Sequence, residues 1–501
     1  MQMYEFIRRE VVAAMKIDRI IFCSLLVMAS SGAWAHAELY HRAPDTIPGL
    51  LPEMNEPSYW ISRMEHPDQV ILSPDEIQAL QTDYRARMES PDRFKGVDPD
   101  RLPVEADLSR WPGRFIVLPD VDAMTPRERS AFVRGEIGSD VDYLRGRYGR
   151  EILGLEGSTG QRFANILGIE YAPWELDDME AEMNLGRLPE ELALRDGITV
   201  RDTRLRVVPT LTEERIGLTD AGRTKWDLWN INVVRIASPV KVLHPSRTGG
   251  YLFVLSAEGC GWVKTEDIAF GSADDLARYA ESPDFVVCTG DRVPFYTDES
   301  CTYVSGWFRM GDRIPAARDN ARAINAPGRR MDGAFEPARA WLAPNATVSV
   351  GYLPYTRRNI VETGFRMLGN PYDWTMGWFG RNHETTLRDL FACFGFQLPF
   401  NAELFTFMGG NTRVVRPEEG REAQYKAILA NEPFVTIQTC GGGHSQLFLG
   451  EYRGEPIVLD THGYQYTDPD GTVQFIRRLV VGTMSQPDYF LKTNFTFVEL
   501  Q

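Results

Sequence analysis

Apolar and polar residues follow three different rhythms along this chain. From His36 to about Leu194 the apolar residues recur at helical spacing in short stretches broken by proline, with two explicit helix starts at Ser73-Pro74-Asp75-Glu76 and Thr125-Pro126-Arg127-Glu128. Each supplies a hydroxyl for an orphan amide, a proline at the first helical position and a glutamate that reaches back to the cap. From about Ile198 to Phe270 the period drops to two. Ser238 to His244, Tyr251-Leu252-Phe253-Val254 and Gly261-Trp262-Val263 read as strands, and their spacing predicts a small barrel. A second block of this kind runs from about Asp284 to Val350, with Phe285-Val286-Val287, Ser305-Gly306-Trp307-Phe308 and Trp341. The final stretch predicts helices over Asn359 to Leu368 and Glu384 to Phe394. Strands follow at Phe434 to Ile437, Gln446 to Leu449 and Ile457 to Leu459. Helices followed by a run of strands is an α+β pattern.

Composition narrows the class. With 43% hydrophobic, 11% aromatic and 25% charged residues, the 501-residue chain matches folded globular proteins rather than disordered or multi-span membrane chains. Its 70 acidic against 54 basic residues give a net charge of −16, which repels phosphate backbones and argues against a nucleic-acid partner. The N-terminus carries the marks of a secretory signal: a charged start from Met15 to Arg19, an apolar run from Ile20 to Ala29, and Ala33-Trp34-Ala35 as a small-x-small cleavage pattern. That run is short of the roughly 20 residues a bilayer-spanning helix needs, so no stable membrane anchor is expected after cleavage. The expected address lies across the inner membrane, in the periplasm, with the mature chain beginning at His36 and translation starting at Met1 or Met15. One of the six cysteines falls inside the signal. Cys288 and Cys301 flank the hairpin around Val293-Pro294-Phe295-Tyr296 and form a candidate disulfide in an oxidising compartment. No Cys-x-x-Cys is present, which leaves neither a zinc ribbon nor a thioredoxin-type site.

Several stretches, in order, resemble the secreted NlpC/P60 cell-wall peptidases with bacterial SH3 (SH3b) domains. Trp60 to Gln81 is similar to their N-terminal clamp. Gly197 to Val200, Leu205 to Thr210, Val240 to His244 and Gly261-Trp262-Val263 resemble their first SH3-like module. Tyr352-Leu353-Pro354-Tyr355-Thr356, Leu368-Gly369-Asn370-Pro371-Tyr372-Asp373-Trp374, Arg388-Asp389-Leu390-Phe391 and Gly443 to Gly450 resemble their catalytic domain. The resemblance implies a signal peptide (1–35), a helical clamp region (36–194), two SH3b-like barrels (195–275 and 284–350) and a papain-like NlpC/P60 domain (351–501). It implies no cofactor, and wall stem peptides as partners, bound between the first barrel and the C-terminal domain. Tyr355, Trp374 and Glu384 are the binding residues it points to.

Members of that family cleave γ-D-glutamyl-diamino acid bonds with a cysteine at a helix start, a histidine on a neighbouring strand and a third polar residue. A helix N-terminus and an imidazole both favour the thiolate. Counting back from Arg388 puts His383, flanked by Asn382 and Glu384, where the cysteine belongs. The strand histidine is His444, and the third member falls at Asp460 or, with a one-residue slip, Leu459. The expectation is a catalytically impaired homologue that binds wall peptides. Four alternatives remain open at this stage: Cys440 as a relocated nucleophile, a metal held by His383, His444 and Asp460, Glu384 as a base for water, and a scaffold role with a protein partner in the envelope.

Overall fold

The computed structural model describes residues 47–97, 117–145, 163–165, 167, 169–210, 218–219, 227–373, 376, 379–399, 401–409, 413–440, 444–461, 465–467, 473–484 and 491–501. The expected signal segment and Trp374 lie outside them. Among the described residues no helix is long and apolar enough to cross a membrane.

The first part holds helix α1 (Pro57–Ile61), strand β1 (Val70–Leu72) and helices α2 (Pro74–Glu89), α3 (Pro126–Leu144) and α4 (Pro173–Glu182). Both expected caps form. Ser73 and Glu76 close a reciprocal box at the start of α2, and Thr125 and Glu128 do so at α3. Next comes an antiparallel sheet of β2 (Arg195–Thr199), β3 (Thr203–Arg206), β4 (Asn230–Val234), β5 (Pro239–Pro245), β6 (Tyr251–Ser256), β7 (Gly259–Lys264) and β8 (Ile268–Phe270), ordered β8-β2-β5-β6-β7-β3-β4. Helix α5 (Ala273–Ala280) leads to β9 (Phe285–Cys288), β10 (Arg292–Tyr296), β11 (Val304–Arg309), β12 (Arg313–Pro315), β13 (Ala323–Ala326), β14 (Ala338–Leu342) and β15 (Val348–Val350). These form two small sheets, β12-β9-β15 and β11-β10-β14-β13.

The C-terminal part contains β16 (Tyr355–Thr356), α6 (Arg357–Gly364), α7 (His383–Ala392), β17 (Val414–Val415), α8 (Arg421–Leu429), β18 (Thr436–Cys440), β19 (His444–Tyr452), β20 (Glu455–Asp460), β21 (Val480–Thr483) and β22 (Phe495–Glu499). Its antiparallel sheet runs β17-β22-β18-β19-β20-β21. Alternation along β19 decides its two faces: Leu447 and Leu449 join Leu387, Leu390 and Phe391 of α7 in one core, while Phe448 packs with Ile428 of α8 in another. The N-terminal segment completes the first of these cores. Trp60 and Ile77 are buried in it, β1 pairs with β16, and the Gln81 amide bonds the backbone at Gly395 and Gln397.

A buried charge network ties α7 to the β-rich part. Asp389 accepts from Arg235 and Arg381, both at 2.7 Å. Arg381 also pairs with Asp291, Arg235 with Asp312 at 2.7 Å, and Arg388 meets Glu258 through two bonds of 2.7 Å. Burial pushes Asp389 up, but the guanidiniums of Arg235, Arg381 and Arg309 outweigh it and hold the carboxyl below its ordinary value. At Asp312 burial wins: with the charges of Asp202 and Asp389 adding to it, the pKa rises from 3.8 to about 7 against the pull of Arg235. A carboxyl that holds its proton more tightly when folded stabilises the fold below its unfolded pKa and loses that contribution as pH rises through the folded value. The urea midpoint of the wild type is therefore expected to fall, relative to Asp312→Asn, between about pH 4 and about pH 7. Parallel midpoints across that window would contradict the assignment.

Candidate active site

Helix α7 begins where it does because Asn382 caps it. The Asn382 side chain accepts from Thr385 N at 2.8 Å, and Thr385 Oγ1 accepts from Asn382 N at 2.9 Å. This fixes His383 as the first helical residue. Its Nδ1 accepts from the Ser445 backbone N–H at 3.3 Å and lies 3.3 Å from Ser445 Oγ, so the helix start is pinned to the start of β19. The His383 and His444 rings meet edge to face with centroids 4.6 Å apart. His444 Nε2 in turn lies 3.1 Å from Asp460 Oδ1. The structure thus brings residues 383, 444 and 460 into one row, with Asp460 and not Leu459 beside the strand histidine. Leu459 faces the opposite side of the sheet, in the core under α7.

Electrostatics define what the row can do. His444 is buried at 6% exposure and Asp460 at 1%. Burial disfavours the imidazolium and pushes His444 down to about 3, so its ring is neutral at pH 7. Neutral imidazoles donate and accept hydrogen bonds, which suits amides and carboxylates. The row presents no thiol.

The other expected residues fall elsewhere. Tyr355 is 2% exposed, packs against Phe391, Phe394 and Phe396, and donates its hydroxyl to the Leu500 carbonyl at 2.9 Å. Its expected ligand contact is corrected to a core role. Glu384 sits in the first turn of α7, but Oε1 accepts from Ala402 N at 3.0 Å and Oε2 from Asn382 Nδ2 at 3.2 Å. Oε1 ties the helix start to Ala402 and Oε2 holds the Asn382 cap, in place of the expected roles in ligand contact or as a base for water. Tyr372 was not singled out as a site residue. Burial raises its phenol pKa, and the charges of Asp460, Glu384 and Asp373 add to the rise. Its signal in the sequence was its place one residue before Asp373, inside a motif read only for resemblance.

Cys440 lies directly across from His444 in the β18–β19 ladder. Burial and the Asp460 charge raise its thiol well above the ordinary range, the opposite of what a nucleophile needs. Among the described residues no group of three or more His, Cys, Asp and Glu side chains is arranged to hold a metal ion. His444 Nε2 lies 3.1 Å from Asp460 Oδ1, and His383 Nδ1 is taken up by the Ser445 N–H. Cys288 and Cys301 are not joined. Cys288 ends β9 facing a core, where its thiol donates to the Gly290 carbonyl, whereas Cys301 sits in the β10–β11 turn at a φ of 56°. Cys260, Cys288, Cys393 and Cys440 are buried, and burial raises each thiol, Cys393 to about 12. A thiol reagent added to the native mature chain is expected to modify Cys301 alone, and the other four only after unfolding. Rapid native labelling of Cys440, read by peptide mass, would contradict this.

The fold has counterparts among solved structures. One, described as a novel NlpC/P60 endopeptidase from Photobacterium damselae subsp. piscicida, matches 89% of this chain and 96% of its own with a TM-score of 0.64 and 13% identity. A second, an NlpC/P60 family protein from Bacillus cereus ATCC 10987, matches 54% of this chain and 83% of its own with a TM-score of 0.38 and 15% identity. No family model and no curated protein matches the sequence. The chain has the fold of the Photobacterium endopeptidase over nearly its whole length, and the resemblance drawn from the sequence holds at the level of the fold.

Proposed function

We propose that this chain is a secreted envelope protein that binds the stem peptides of peptidoglycan and has lost cysteine-peptidase activity. Residues 36–194 act as a clamp, 195–275 and 284–350 as SH3b-like modules, and 351–501 as the NlpC/P60-like domain that carries the peptide site. One observation carries the reading: at the capped start of α7, the side chain facing His444 is the imidazole of His383, 4.6 Å away ring to ring, where the family resemblance calls for a thiol. The structural neighbour described as an endopeptidase supports wall peptides as the ligand class. Between the first sheet and α7 lies a cavity of about 330 Å³, lined by Asn232, Glu258, Thr385 and Arg388 among others, in the region where the stem peptide is expected. The test incubates the purified mature chain with a γ-D-glutamyl-diaminopimelate muropeptide and follows heat of binding and product mass in parallel. Saturable binding without product is expected. Cleavage that depends on a cysteine, or no binding at all, overturns the reading.

A further inference from the structure

Two glutamines stand on the sheet face that carries His444 and Asp460. Gln438 on β18 and Gln446 on β19 are directly opposite each other and are 0% and 1% exposed. Phe448 and Cys440 point to the same side, and Val458 and Phe497 join them in that core. Burying two amides there serves no packing need. Their hydrogen bonds run in one direction: Gln438 Nε2 donates to Gln446 Oε1 at 2.7 Å, and Gln446 Nε2 donates to Asp460 Oδ2 at 3.0 Å. Leu447 faces Leu459, so Gln446 and Asp460 fall on the next rung of the same ladder.

The carboxylate sets that direction. With Asp460 Oδ2 accepting, Gln446 turns its NH₂ toward Asp460 and its carbonyl toward Gln438, which must then donate. Turning either amide over would set oxygen against oxygen. The chosen direction has a cost, because Gln438 Oε1 is buried without a hydrogen-bond partner among the described residues. With Oδ2 held by Gln446, it is Oδ1 that stands 3.1 Å from His444 Nε2. An accepting oxygen beside one ring nitrogen favours the proton on that nitrogen. We infer that Gln446, oriented by Gln438, is a positioning residue that fixes the Asp460 carboxylate and keeps His444 in the tautomer protonated at Nε2, with Nδ1 as the accepting nitrogen.

The inference deepens the proposed function, since it concerns the same row, but its test needs no ligand, so its failure is distinguishable from a failure to bind muropeptide. The experiment records ring ¹⁵N–¹H correlation spectra of the full mature chain with labelled histidine at pH 7, with His444 assigned by the signal lost in His444→Gln. The wild type is expected to show His444 neutral and protonated at Nε2. Gln446→Met, close in volume, should lose that single-tautomer pattern and give averaged ring shifts. Gln438→Met should give a smaller change in the same direction. A folded Gln446→Met protein with wild-type His444 signals overturns the inference. So does a wild-type ring protonated at Nδ1, or at both nitrogens, and this reading stands even if neither variant folds.

Discussion

His383→Cys is expected to create a peptidase. The substitution puts a thiol on the first residue of α7, where the Asn382 cap, the helix N-terminus and the neutral His444 ring are already in place. The helix dipole shifts a thiol toward thiolate, and the imidazole beside it is placed to take up the proton released. Cysteine is smaller than histidine, so the change opens space and does not overpack the site. The Ser445 N–H that now bonds the His383 ring is left as a donor at the reacting centre. General-base assistance alone contributes about 10²–10⁴-fold, so turnover of a γ-D-glutamyl-diaminopimelate peptide at least about 10²-fold above wild type is expected. Iodoacetamide should abolish it, and His383→Cys/His444→Ala should lack it. A folded His383→Cys protein that binds the peptide but releases no product would mean that position 383 does not stand at the scissile bond.

How much of this was legible in the sequence depends on the distance over which each feature is written. The caps at Ser73 and Thr125 are four-residue signals, and they formed as read. The α7 start was found by counting five residues back from Arg388, which is secure because a helix preserves register. Tyr355 was misjudged because an aromatic motif gives spacing but not the direction of the ring, and this ring points into a cluster of three phenylalanines. Gln438 and Gln446 went unnoticed for a related reason. Polar residues at period two in a strand ordinarily mark a solvent face, and nothing local says that this face is covered by α8. The charge network was equally hidden, since Arg235 and Asp389 are 154 residues apart and neither neighbourhood is unusual.

Asp389→Ala is expected to cost about 3–5 kcal/mol of folding stability, the range for removing one partner of a buried ion pair. Asp389 is 3% exposed and is the shared acceptor for Arg235 and Arg381, with Arg309 Nη2 also 3.8 Å away. Without it, the positive charges of buried Arg381 and Arg309 and of partly buried Arg235 have lost their common counterion, and the residual network of Asp291 and Asp312 must carry it. The loss also has a direction. Arg381 immediately precedes the Asn382 cap, so releasing its guanidinium should loosen the start of α7 before the sheet beneath it. Denaturant unfolding of Asp389→Ala should show the lower midpoint. Hydrogen exchange should show amides 383–386 losing protection more than those of β19. If the network fixes the helix start, pairing the change with Arg381→Met should cost less than the two single losses added, because either change alone already breaks the Arg381–Asp389 bond. Additive losses in the double variant would mean that the two residues act separately, and the helix start would then owe its placement to the Asn382 cap alone.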